Sequence, residues 1–183
     1  MRRFLLFLIF SLCLGKILAY DFEVDGLAYE ITSNIDVETG VTEYLSYQKK
    51  ISIPLTVSYD SKVYSVTGIS EYAFKDCSSL KEIQIPESIL IIGDQAFSGC
   101  SRLIDIKIPK TAEELGKNLF INTPKMKSIH WEPNSNVVLK SGTFSNCEGK
   151  TLYLYSSQEN RERVHELKES LESQFKKIII REL

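Results

Sequence analysis

Phenylalanine recurs at Phe74, Phe97, Phe120 and Phe144, at intervals of 23, 23 and 24 residues. Each opens or sits in a similar phrase, as in "AFKDCSSLKEIQIP" (Ala73 to Pro86) and "AFSGCSRLIDIKIP" (Ala96 to Pro109). Downstream the register is tighter. Ile83, Ile106, Ile129 and Leu152 advance by 23 residues each, and so do Ile85, Ile108, Trp131 and Leu154. The single insertion before Phe144 is cancelled after it, as expected where strand register is constrained and loop length is not.

A fixed period of about 20 to 29 residues is the mark of a leucine-rich-repeat solenoid, in which each turn adds one strand to a parallel ladder. One unit alone cannot bury both of its apolar flanks, so the fold requires stacking. Within a unit, Leu80, Ile83 and Ile85 (then Leu103, Ile106 and Ile108) form a strand with alternate residues inward, ended by Pro86 or Pro109, which cannot donate to a ladder. The return leg places Ile89 and Ile92 inward and turns at Gly93; Ala112, Leu115 and Gly116 repeat this. The third unit drifts in letters, with Leu119, Thr123, Met126 and Trp131 at the equivalent positions, and keeps them small or apolar.

The stretch "GISEYAFKDCSSLKEIQIPESILIIGDQAFSGCSRLIDIKIP" resembles the BspA-like leucine-rich-repeat family, with six or more motif positions matched in two consecutive units. The opening "YDFEVDGLAYEITS" and the closing "TLYLYSSQENRERVHELKESLESQFKKIIIREL" are also similar to the ends of family members. The resemblance implies attachment to host matrix proteins or to other cells.

Four segments are expected. Residues 1–19 read as a signal peptide, with Arg2 and Arg3 ahead of the apolar run Phe4 to Leu14 and cleavage after Ala19. Residues 20–65 read as an N-terminal cap of β-hairpins, turning at Asp25-Gly26, Glu38-Thr39-Gly40 and Asp60-Ser61-Lys62. Residues 66–155 hold the repeats, about four rungs. Residues 156–183 form a C-terminal cap of helix and strand, with Ser156 and Glu159 at capping-box spacing and Val164, Leu167, Leu171 and Phe175 along one face. The mature chain is thus expected to be exported, without membrane insertion after signal cleavage.

Without residues 1–19 the chain carries 19 basic and 24 acidic residues, net −5, and no clustered basic footprint is visible along it. Nucleic acid is therefore not an expected partner. Cys77, Cys100 and Cys147 each follow a repeat phenylalanine by three residues and read as buried core thiols. His130 and His165 lack companions at metal-ligand spacing, and no phosphate loop, nucleophile elbow or paired-acid motif is present. The chain is expected to be non-catalytic and to need no cofactor.

If Ile83 and Ile85 point inward, Gln84 points outward, and the same phase yields Lys107, His130 and Tyr153 at successive steps of 23. Glu82, Asp105, Ser128 and Thr151 flank them, and Tyr155 adds a second aromatic anchor. Mixed polar and aromatic stripes on stacked sheets are how repeat proteins grip extended partners. The expectation is a secreted or cell-surface, adhesin-like protein, monomeric, that binds a host matrix protein or another surface protein. The alternative is a structural or assembly component of the envelope that packs against a partner or self-associates.

Overall fold

The computed structural model describes residues 20–33, 38–44 and 47–183. The signal-peptide reading of residues 1–19 lies outside the described residues. Strands β1 (Phe22–Val24) and β2 (Leu27–Ser33) form a hairpin across Asp25-Gly26, with φ of 51° and 80° at the turn, and β3 (Glu38–Tyr44) lies antiparallel to β2. After β4 (Lys50–Ser52), strands β5 (Thr56–Tyr59) and β6 (Lys62–Ile69) pair across Asp60-Ser61, whose φ values of 47° and 61° match a primed turn and the twist of its strands. The turn expected at Glu38-Thr39-Gly40 is strand instead: Thr39 is fully buried and donates its hydroxyl to the Glu30 carbonyl at 2.7 Å. Gly40 pairs with Gly68 of β6, so this glycine marks two bare backbones side by side rather than a reversal.

From β6 onward the chain coils. Its turns contribute β7 (Glu82–Gln84), β8 (Ile91–Ile92), β9 (Asp105–Ile108), β10 (Glu114–Leu115), β11 (Ser128–Trp131), β12 (Val138–Leu139) and β13 (Thr151–Ser156), then helix α1 (Arg161–Leu171) and β14 (Lys177–Glu182). Two parallel ladders result. One aligns Val41, Ile69, Ile92, Leu115 and Leu139 across β3, β6, β8, β10 and β12. The other aligns Ile106, Ile129, Leu152 and Ile178 across β9, β11, β13 and β14, and Ile51 with Ile83 across β4 and β7. The Ile104 N–H, donating to the Lys81 carbonyl at 3.3 Å, joins the two parts. This second ladder has six levels rather than about four. Ile83 follows Ile51 by 32 residues and Ile178 follows Leu152 by 26, because the β5–β6 hairpin and α1 are spliced between rungs, so neither end rung shows in a 23-residue count.

The third side of each coil is a tight turn that carries the phenylalanines. Phe74, Phe97, Phe120 and Phe144 are all fully buried and stack with centroid distances of 5.5, 5.9 and 6.2 Å. Cys100 and Cys147 are buried beside them, while Cys77, in the first of these turns, is half-buried; all three are free thiols. Burial pushes the Cys77 thiol up to about 12 and the Cys147 thiol up to about 11, which leaves them protonated and poor nucleophiles.

At the far end α1 buries Val164, Leu167 and Leu171, and Phe175, extended after a short 3-10 turn, sets its ring 5.3 Å from Phe144. The capping box expected at Ser156 and Glu159 is absent, since Ser156 ends β13. Asn160 takes the cap position and binds the preceding loop. Its Oδ1 accepts the Ser157 N–H at 2.7 Å, and its Nδ2 donates to the Pro133 carbonyl at 2.9 Å.

Candidate functional site

Inward residues of the longer ladder are held by the core, which leaves their neighbours on each strand facing solvent. Pairing places Glu82 beside Lys50, aligns Asp105, Ser128 and Thr151 in one row across β9, β11 and β13, and aligns Lys107, His130 and Tyr153 in another. Asp105, Lys107, His130, Tyr153 and Tyr155 thus lie on one four-stranded sheet, and Glu82 and Gln84 lie on the two-stranded β4–β7 sheet joined to it through the Ile104–Lys81 hydrogen bond. Glu82, Gln84, Asp105 and Lys107 are exposed; Ser128, His130, Tyr153 and Tyr155 are half-buried.

The face has two chemical halves. On the N-terminal rungs, charges are matched. Lys50 meets Glu82 at 2.7 Å, Lys107 meets Glu87 at 3.1 Å, and the Ser128 hydroxyl donates to the Asp105 carboxylate. On the C-terminal rungs the surface is aromatic. The His130 ring lies flat on Tyr153 at 4.7 Å and 6°, its Nδ1 shares a hydrogen bond of 3.0 Å with the Tyr155 hydroxyl, and the Arg181 guanidinium sits 4.7 Å from the Tyr153 ring centre. Desolvation holds His130 below the usual imidazole pKa, with nearby Arg181 acting in the same sense and Asp105 against it.

Sequence reasoning missed Arg181 and Lys177, which lie beside Tyr155 and Thr151, and Lys50 and Ser52 at the other end. The signal was the ladder register, hidden by the inserted hairpin and helix. It also missed a row one residue earlier. The strand pairing brings Lys49, Lys81, Ile104, Lys127, Lys150 and Lys176 to successive levels, and backbone hydrogen bonds of 2.8, 3.3, 2.8 and 2.9 Å link Lys49 to Lys81, Lys81 to Ile104, Ile104 to Lys127 and Lys150 to Lys176. Along the chain these lysines stand 23 to 46 residues apart, and stacking is what brings them to neighbouring levels.

Among the described residues no group of three or more His, Cys, Asp or Glu could hold a metal ion, and no helix is long and apolar enough to cross a membrane.

A capped coil with parallel ladders and a stacked phenylalanine column defines a leucine-rich-repeat solenoid. A family model for the BspA type leucine rich repeat region matches six copies over residues 46–164, and the chain belongs to that family. Among solved structures it is similar to a leucine-rich repeat protein from Bacteroides ovatus, with 28% identity and a TM-score of 0.56, over 74% of this chain and 41% of that one. It is also similar in fold to the Treponema pallidum leucine rich repeat protein, with 17% identity and a TM-score of 0.57, over 88% of this chain and 83% of that one. No curated protein shows significant similarity to it.

Proposed function

We propose that this is an exported, non-catalytic protein that binds an extended segment of another protein along the outward ladder face, in the manner of an adhesin. The observation that carries the reading is the His130–Tyr153–Tyr155–Arg181 platform, a half-buried aromatic surface continuous with a polar stripe three further levels long. Rigid aromatic rings offer contact area at little entropic cost, and a guanidinium stacked on tyrosine is held ready for an acceptor. Membership of the BspA-type family and the apolar run in residues 4–14 favour export, and a matrix or surface protein is the partner class proposed.

Self-association through the last rung is the weaker reading. Lys177, Ile179 and Arg181 are the outward residues of β14, and a two-fold antiparallel pairing must keep outward residues on one face. Every such register opposes basic residues to each other or to isoleucine, and none opposes them to an acid.

Immobilised fibronectin and fibrinogen provide the test, with Tyr153→Ala as the variant. The wild type is expected to bind at least one of them, and the variant to bind about tenfold or more weakly while losing only about 1 kcal/mol of stability. Equal binding by both proteins, or no binding to either matrix protein, would overturn the reading.

A further inference from the structure

We propose that the lysine row at the start of the ladder strands is a docking track for a linear anionic polysaccharide, a site separate from the aromatic platform. Five of its six positions are lysine, and Ile104 is the exception. Adjacent levels of a parallel ladder stand about 4.8 Å apart, so the row runs straight for roughly 24 Å. Lys49, Lys81, Lys127 and Lys176 are exposed, and none of them forms an ion pair among the described residues. Lys150 alone is turned in, with its Nζ donating to the Asn146 carbonyl at 2.9 Å.

Two residues earlier in the repeat stand Arg102 and Lys125, both exposed, which thicken the positive strip at its middle; Glu148 is the acid at the equivalent place in the next unit. The acids one residue later are engaged already: Glu82 with Lys50 and Asp105 with Ser128. A shallow cleft lined by Lys125, Lys127, Lys176, Gly149 and Thr151 lies along the strip. In a chain with net charge −2, this is a concentrated exception.

The chemistry selects the ligand class. Lysine ammonium groups are point charges that neutralise sulfates or carboxylates without demanding one planar geometry. No aromatic ring stands in the row to stack a base, which disfavours single-stranded nucleic acid. A row one lysine wide along a rim matches a thread better than a bilayer plane, which draws on clustered basic segments.

Titration of the full exported chain with heparin, hyaluronan, an oligothymidylate and phosphatidylserine vesicles tests this. Heparin or hyaluronan is expected to bind most tightly, the two together telling sulfate from carboxylate recognition, with affinity falling as salt rises. The triple variant Lys81→Gln/Lys127→Gln/Lys176→Gln should lose roughly a hundredfold in affinity and about one unit of salt slope per lysine. A control, Lys62→Gln/Lys110→Gln/Lys117→Gln, removes the same charge from exposed sites elsewhere and should bind as wild type. Tighter binding of the oligonucleotide or vesicles, equal loss in the control, or no loss in the triple variant would overturn the proposal. Fibronectin binding by the triple variant separates the outcomes: a failure of this track leaves the tyrosine platform standing, and the reverse.

Discussion

His130 shows how a single side chain is tuned by its rung. Desolvated where it lies on Tyr153, with the nearby Arg181 charge acting in the same sense, the ring is favoured in its neutral form, so the folded protein binds its proton less readily than the unfolded chain. The stabilisation this gives is complete above the ordinary imidazole value of 6.5 and is lost as pH falls below that value and through the lower one of the folded protein. Acidification from about pH 7.5 to about pH 5 should therefore lower the melting temperature of the wild type more than that of His130→Gln. Identical pH dependence in the two proteins would show that the ring gains nothing from its burial. The phase of the repeat was enough to align His130 with Lys107 and Tyr153. It could not reveal Arg181, because 26 residues and a helix separate the last two rungs.

The turns and strands are held by backbone constraints that hydrophobic periodicity does not register. Two positions in each turn take positive φ: Tyr72, Gln95, Asn118 and Gly142 form one column, and Asp76, Gly99, Asn122 and Asn146 the other. The second column is filled with Asp, Gly and Asn, the residues that tolerate this conformation, and could have been read as such. The first contains tyrosine and glutamine and could not. Gly93 and Gly116 are required for a different reason, the close approach of rungs: a Cβ on Gly116 would lie 2.4 Å from the Asp94 amide nitrogen, and one on Gly93 2.4 Å from that of Glu71. Gly116→Ala must push two backbones apart and should cost about 1–3 kcal/mol or more in chemical denaturation. A stability equal to wild type would mean that the rungs slide freely. The turn misread at Glu38-Thr39-Gly40 and the helix cap misread at Ser156 share one cause: polar residues and glycine at strand pairing sites mimic the ends of elements.

The coil stands or falls with its ends. The hairpins of residues 20–69 cover one end, and α1 with β14 covers the other, where Phe175 meets the last phenylalanine of the column. A chain stopped after Ser156 would expose Phe144, Leu152 and Leu154 and the open edge of β13, and it is expected to aggregate or to lose its cooperative melting transition. A truncated protein that stays monodisperse and melts in one step would show that the rungs need no lid. Between those ends the units from Leu80 to Leu103 and from Leu103 to Met126 meet their neighbours through the same glycine contact, the same ring stack and the same 23-residue register of the return strands. Such interchangeable joints make the molecule extensible. Duplicating one 23-residue segment in the middle would lengthen the protein by one storey without disturbing either terminus, and each added storey would carry a further foothold for whatever lies along its side.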